Sequence, residues 1–146
     1  MTKAKIGQLL RTVPAIMVRI TEQYNSKAVS NPPTKSELYD MTRWAWTAGL
    51  TRAQKAQVII GVARTAKTGV GHVVSVYQIK KCDRVSNVLP PQTRPNDPVV
   101  AADIRKNVRV AFEGRPVISS TLLGKTVGNW FVDARNRPTP FVYFNC

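Results

Sequence analysis

Residues 34–79, TKSELYDMTRWAWTAGLTRAQKAQVIIGVARTAKTGVGHVVSVYQI, decide how the rest of the chain is read. Thr34 and Glu37 have the spacing of a capping box, in which each side chain answers the other residue's backbone N–H, so a helix starts here. Leu38, Met41 and Ala45 recur on one helical face with Thr42 beside them, and Tyr39, Arg43 and Trp46 fall on a neighbouring face. Trp44 points elsewhere. Gly49 fits a helix stop. Residues 51–55 read as a basic turn or a single helical turn. Val58, Ile59, Ile60 and Val62 are apolar on both sides, as a central strand requires. Residues 64–72, with Gly69 and Gly71, read as a hairpin loop leading into a β-branched and aromatic strand over 73–79.

Outward from this stretch the signals are shorter. Residues 2–12 predict a helix capped by Thr2, with Ile6, Leu9 and Leu10 on one face and Pro14 as its limit. Ile16, Val18 and Ile20 alternate with Met17, Arg19 and Thr21, the pattern of a half-buried strand. Asn31 and the Pro32-Pro33 pair mark a loop before the main helix. Lys80, Lys81 and Arg84 cluster just after the 73–79 strand, and residues 86–98 carry four prolines, a long irregular connection. A turn is expected over 103–106. Val108, Val110 and Phe112 alternate as a further strand ended by Gly114 and Pro116. A turn near Gly124 leads on to Trp130, a basic loop follows, and FVYFNC (141–146) closes the chain as a strand.

Five or six strands, one good helix and one or two minor helices result, and the hairpin signals favour antiparallel neighbours. The expected fold is α+β: a curved antiparallel sheet or small β-barrel with the main helix closing one side. Residues 1–146 read as a single basic domain, with 1–14 as an N-terminal extension that is helical in part.

Charge is the unusual feature of composition. Twenty-two Lys and Arg stand against eight Asp and Glu, a formal net charge of +14, with pI near 10.5. That imbalance favours polyanionic partners. The two cysteines, Cys82 and Cys146, make neither a disulfide framework nor a metal set. No apolar run approaches the roughly 20 residues that span a bilayer. Arg11 and Arg19 interrupt the N-terminal apolar stretch and no cleavage pattern follows, so the expected setting is cytoplasmic, with no membrane partner.

Within that charge, some residues carry a sharper reading. Arg43 beside Tyr39 and Trp46 joins a planar cation to aromatic faces, the combination that grips phosphate and stacks bases. Arg52 and Lys55 extend this patch directly after the helix. Arg64 and Lys67 sit in a glycine-containing loop suited to close backbone approach to phosphate. Lys125 lies in Gly-Lys-Thr, the tail of a Walker A motif; Ser119 occupies the position of its first glycine, which excludes a phosphate-binding loop for ATP hydrolysis, and Lys125 stays a candidate contact to an anion. Arg135, Asn136 and Arg137 offer charge with an amide for backbone positioning. No catalytic residue, metal or cofactor is expected. His72 is the lone histidine, and a metal nuclease would need remote carboxylates to converge, with Glu22 and Glu113 or Asp133 as the place to look.

The order of several motifs resembles a small bacterial and phage domain found beside nucleases. The matching pieces are residues 17–24, ELYDMTRWAW, TRAQKAQVIIGV, VVSVYQI, VRVAFEGRPV, LLGKTV and the closing FVYFNC, covering about residues 15–146. Tyr39-x-x-Thr42-Arg43-x-x-Trp46 is the most specific of them. Thr139 stands where that domain has Asn before Pro140, and the 64–72 loop is longer than its tight turn. The resemblance implies kinship with PUA-like and ASCH-like barrels that bind RNA, nucleotides or modified bases, in a bacterial or phage-infected cell. Charge, motifs and resemblance together predict a non-enzymatic DNA- or RNA-binding protein. The competing expectations are a binder of a small phosphorylated ligand or nucleotide, a nuclease or base-modifying enzyme, and a structural virion or ribosome-associated protein.

Overall fold

The computed structural model describes residues 3–27, 29–30, 32–64, 70–91, 108–117, 120–127 and 140–146. Six strands form one sheet: β1 (Ala15–Arg19), β2 (Val58–Arg64), β3 (Gly71–Arg84), β4 (Val110–Pro116), β5 (Thr126–Val127) and β6 (Phe141–Phe144). Among the described residues four α-helices accompany them, α1 (Lys3–Leu10), α2 (Thr21–Tyr24), α3 (Lys35–Arg43) and α4 (Leu50–Ala53), with one 3-10 turn at Val85–Asn87. The strand order is β4-β3-β2-β1-β6, with β5 pairing β3. The expected Thr2 cap, the 103–106 turn and Trp130 lie outside the described residues.

The fold is α+β, but the sheet is neither purely antiparallel nor a closed barrel. β1 and β2 are parallel, with Ala15 opposite Val58 and Arg19 opposite Val62. The pairs β2–β3, β3–β4, β3–β5 and β1–β6 are antiparallel. Parallel neighbours need a long crossover, and the segment carrying α2, α3 and α4 supplies it. The hairpin signal applied only to β2 and β3. Among the described residues, β4 and β6 end the sheet without pairing to each other.

Alternation along the central strands sends residues to two covered faces. Ile16, Val18, Ile59 and Ala63 pack with Met41, Trp46 and Ala53 on the α3/α4 side. Met17, Ile60 and Val62 pack with Ile6 and Leu10 of α1 and with Leu122 and Val127 on the other side. β1 is therefore buried on both faces, not half-buried as the alternation of polar and apolar residues suggests. β3 is longer than expected and takes in Lys80, Lys81 and Arg84. Its ladder with β2 ends at Gln78; beyond it the Ile79 N–H donates to the Gln57 carbonyl and the Gln54 side chain to the Cys82 carbonyl, while Lys80 and Lys81 are exposed to water.

The capping box of α3 forms as the sequence predicts. The Thr34 side chain accepts from the Glu37 N–H and the Glu37 carboxylate accepts from the Thr34 N–H. The Thr34 N–H, helped by Ser30, holds the Glu37 carboxyl below its ordinary value. The helix does not reach Gly49. It ends at Arg43, and Gly49 instead caps the start of α4. Two interactions account for the early stop. The Trp46 indole N–H donates to the Thr42 carbonyl at 2.8 Å, satisfying an end carbonyl. The Trp46 backbone exchanges hydrogen bonds with Val110, which draws the chain towards β4.

α3 sits close against the sheet because Gly61 of β2 has no side chain. A Cβ there would lie 2.1 Å from Ser75 Oγ and 2.9 Å from Thr42 Oγ1. Thr42 donates its hydroxyl proton to the Leu38 carbonyl at 2.8 Å, so the 2.8 Å contact between the Thr42 and Ser75 hydroxyls has Ser75 as donor. Gly61→Ala should destabilise the protein by about 1–3 kcal/mol, because it overpacks this junction. Gly7→Ala, in α1 with its nearest contact at 4.0 Å, should stabilise by about 0.5–1 kcal/mol. Urea unfolding of the two variants checks both signs, and a neutral Gly61→Ala would contradict the close approach.

Candidate functional site

The structure separates the residues that the sequence groups around Arg43. Arg43 is buried, 4% exposed. Its Nε and Nη2 meet Asp40 Oδ1 at 3.3 and 3.2 Å, and its Nη1 donates to the carbonyls of Leu89 (2.8 Å) and Phe112 (3.3 Å). The guanidinium also lies 4.9 Å from the Tyr39 ring centroid and 5.5 Å from that of Trp44. It is surrounded by protein acceptors and aromatic faces. Trp46, off the helix and 5% exposed, is a core side chain and not an open base platform.

Tyr39 is half-buried. Its hydroxyl accepts the Gly114 N–H at 2.9 Å, and its ring tilts against Tyr77 at 5.1 Å. It lines a groove of about 460 Å3 between the start of α3, the middle of β3 and the exit of β4. The edge strand explains the groove. β4 pairs with β3 as far as Tyr77, and the Val117 N–H still donates to the Val76 carbonyl. Gly124 and Lys125 bond to Val73, and β5 pairs with His72 and Gly71, so among the described residues Val74 and Ser75 have no partner on this edge. Val74 has no strand partner opposite it, since Gly61 pairs with Ser75 and Val62 with Val73. The walls are largely apolar, with Leu38, Val74, Val117 and Leu123 among them, and Lys35 and Ser36 contribute from the first turn of α3.

The remaining described candidates lie at opposite ends of the sheet. Arg52 and Lys55 are exposed beside the start of β2. Arg52 is oriented: its Nε and Nη2 donate to the Cys146 main-chain oxygen at 3.1 and 3.0 Å, and its guanidinium lies 4.1 Å from the Tyr143 ring centroid. Arg64 ends β2 and is exposed, as is Lys125 just before β5. The register Arg64–Gly71–Val127 puts those two at the same end. Arg19, exposed at the end of parallel β1, joins them there. The sequence reading missed Arg19, and the signal lay in the final position of a strand whose neighbour is parallel. Lys67, Arg135, Asn136 and Arg137 lie outside the described residues.

Much of the charge serves the fold. Arg84 donates to the Val108 carbonyl at 3.1 Å and Arg109 to the Ala45 carbonyl at 3.0 Å. Among the five described acidic side chains, Glu22 of α2 is exposed and the other four are committed. Glu37 caps α3, Asp40 holds Arg43, Asp83 accepts from the Arg84 N–H at 2.7 Å, and Glu113 lies 3.9 Å from Lys81.

Neither cysteine is prepared as a nucleophile. Burial pushes the Cys82 thiol up to about 12, with Asp83 adding to the shift, and burial also raises Cys146. Both stay protonated at neutral pH, when a thiolate is the reactive form. Burial raises the Tyr77 and Tyr143 phenols above their ordinary values too. His72 Nε2 and the Tyr143 hydroxyl are buried with no hydrogen-bond partner among the described residues. Among those residues no three His, Cys, Asp or Glu side chains gather as a metal site, and no helix is long and apolar enough to cross a membrane. No known protein family, no curated protein and no solved structure matches the chain.

Removing one partner of a buried ion pair leaves the other charge uncompensated. Arg43→Met should accordingly cost about 3–5 kcal/mol of stability, read as a lowered urea midpoint. A loss below about 1 kcal/mol, typical of an exposed pair, would show that Arg43 is not held as described.

Proposed function

We propose that this protein is a non-enzymatic nucleic-acid-binding protein that neutralises phosphates with outward-facing Lys and Arg at the two ends of its sheet. The observation that carries the reading is the disposition of charge. The chain has a net charge of +14, its described carboxylates other than exposed Glu22 are tied to protein partners, and Arg19, Arg52, Lys55, Arg64 and Lys125 are exposed. Two groups of cations at opposite ends of β2 favour a polymer over a single phosphate. Seven residues of strand span about 20 Å at roughly 3.3 Å per residue, and duplex DNA carries a charge every ~1.7 Å of axis.

The resemblance to the bacterial and phage domain found beside nucleases supports the same reading through the order of its motifs. The kinship with PUA-like barrels belongs to this proposal, without the barrel closure. The ligand contacts move, however, from the Tyr39/Arg43/Trp46 face to the exposed cations.

Fluorescence anisotropy with mixed-sequence single- and double-stranded oligonucleotides tests the proposal. Affinity should fall by about 0.7–0.9 decades per decade of salt for each phosphate neutralised. Arg64→Ala with Lys125→Ala, and separately Arg52→Ala with Lys55→Ala, should each lower that slope by about one to two, while Lys5→Ala changes it by no more than about one. Absence of binding to either oligonucleotide at about 50 mM salt, or affinity indifferent to salt, would remove the proposal.

A further inference from the structure

We propose that the groove beside Tyr39 is a binding site for a small apolar monoanion, of the class of medium-chain aliphatic carboxylates. The site shares none of the cations assigned to nucleic acid, so the two proposals stand or fall separately. Its volume of about 460 Å3 falls within the roughly 300–1,000 Å3 of small-molecule sites, which are apolar with a few placed polar groups. Leu38, Val74, Val117 and Leu123 supply aliphatic wall.

The polar groups specify the ligand's head. Lys35 is the one charged residue on the wall among the described residues, and it is exposed at the start of α3. One ammonium complements one negative charge. A phosphate monoester carries about −1.5 to −2 at neutral pH and offers three acceptor oxygens, more than a single lysine answers. The nucleotide expected from sequence as an alternative ligand is therefore disfavoured in this groove. The Tyr39 hydroxyl accepts from Gly114 and so keeps its own proton for a further acceptor. A carboxylate, with two oxygens and an aliphatic tail, matches a lysine, a phenol proton and an aliphatic wall.

The test uses decanoate, decanol and adenosine monophosphate as probes below any micelle-forming concentration, with calorimetry for affinity and amide NMR shifts for location. Decanoate should bind saturably, shift the amides of Val74, Tyr77 and Gly114, and bind more tightly than either other probe. Lys35→Glu preserves the helix, because acids suit a first turn. It should weaken decanoate at least about fivefold, beyond what an exposed pair gives up, while changing decanol by less than about twofold. Leu123→Trp, which fills the groove, should weaken both aliphatic probes. The proposal is overturned by non-saturable decanoate binding, by shifts confined elsewhere, by decanoate affinity unchanged in Lys35→Glu, or by tighter binding of adenosine monophosphate.

Discussion

A guanidinium taken out of water must find acceptors for its N–H groups, and Arg43 finds them on three separate parts of the chain. Asp40 belongs to the same helix, Phe112 to β4, and Leu89 to the segment after β3. The aromatic faces of Tyr39 and Trp44 complete the enclosure. Desolvating such a group costs several kcal/mol unless every contact is in place. The last turn of α3, the edge strand β4 and residue 89 are consequently held in one arrangement. The hydroxyl pair Thr42–Ser75 over Gly61 then fixes how closely that arrangement approaches the sheet.

Much else follows from this junction. With α3 anchored to β4 at one end and to β2 and β3 beneath it, the connection from β1 to β2 has to cross a face of the sheet, which makes those two strands parallel. Trp46 continues from the anchored helix into a backbone pairing with Val110. The first turn of α3 is left standing over the middle of β3 beside the exit of β4, and the groove opens there.

Local signals in the sequence were reliable where local physics decides the outcome. The Thr34/Glu37 box, the central apolar run of β2, the antiparallel β2–β3 pair and the closing strand are each set by neighbouring residues. The strand expected from Val108 and ended by Gly114 and Pro116 instead starts at Val110 and runs through Gly114 to Pro116, because β3 pairs with it that far. Tertiary contacts override pattern elsewhere. Helical periodicity runs on through Ala45 and Trp46, yet the Trp46 bonds to Thr42 and Val110 end the helix at Arg43. Lys80 and Lys81 look like the end of a strand, because their composition cannot reveal that β3 overhangs β2. Arg43 among aromatics reads equally well as a phosphate grip or a buried hub. Only the carbonyls of Leu89 and Phe112, dozens of residues away in sequence, separate the two. Of the candidate site, Arg52, Lys55, Arg64 and Lys125 are exposed as a binding role requires, and Arg43 and Trp46 are interior.

Positive charge thus divides between arginines that clamp backbone carbonyls inside the fold and cations presented outward. The most direct measurement of that division is a paired replacement of the hub by apolar residues, Asp40→Leu with Arg43→Met, followed through both unfolding and oligonucleotide binding. Removing both charges together avoids leaving either one buried and unpaired. The double variant should recover part of the stability lost in Arg43→Met alone and bind oligonucleotides with the wild-type affinity and salt slope. A double variant that folds as stably as the wild type yet loses binding would contradict the account and return Arg43 to the ligand.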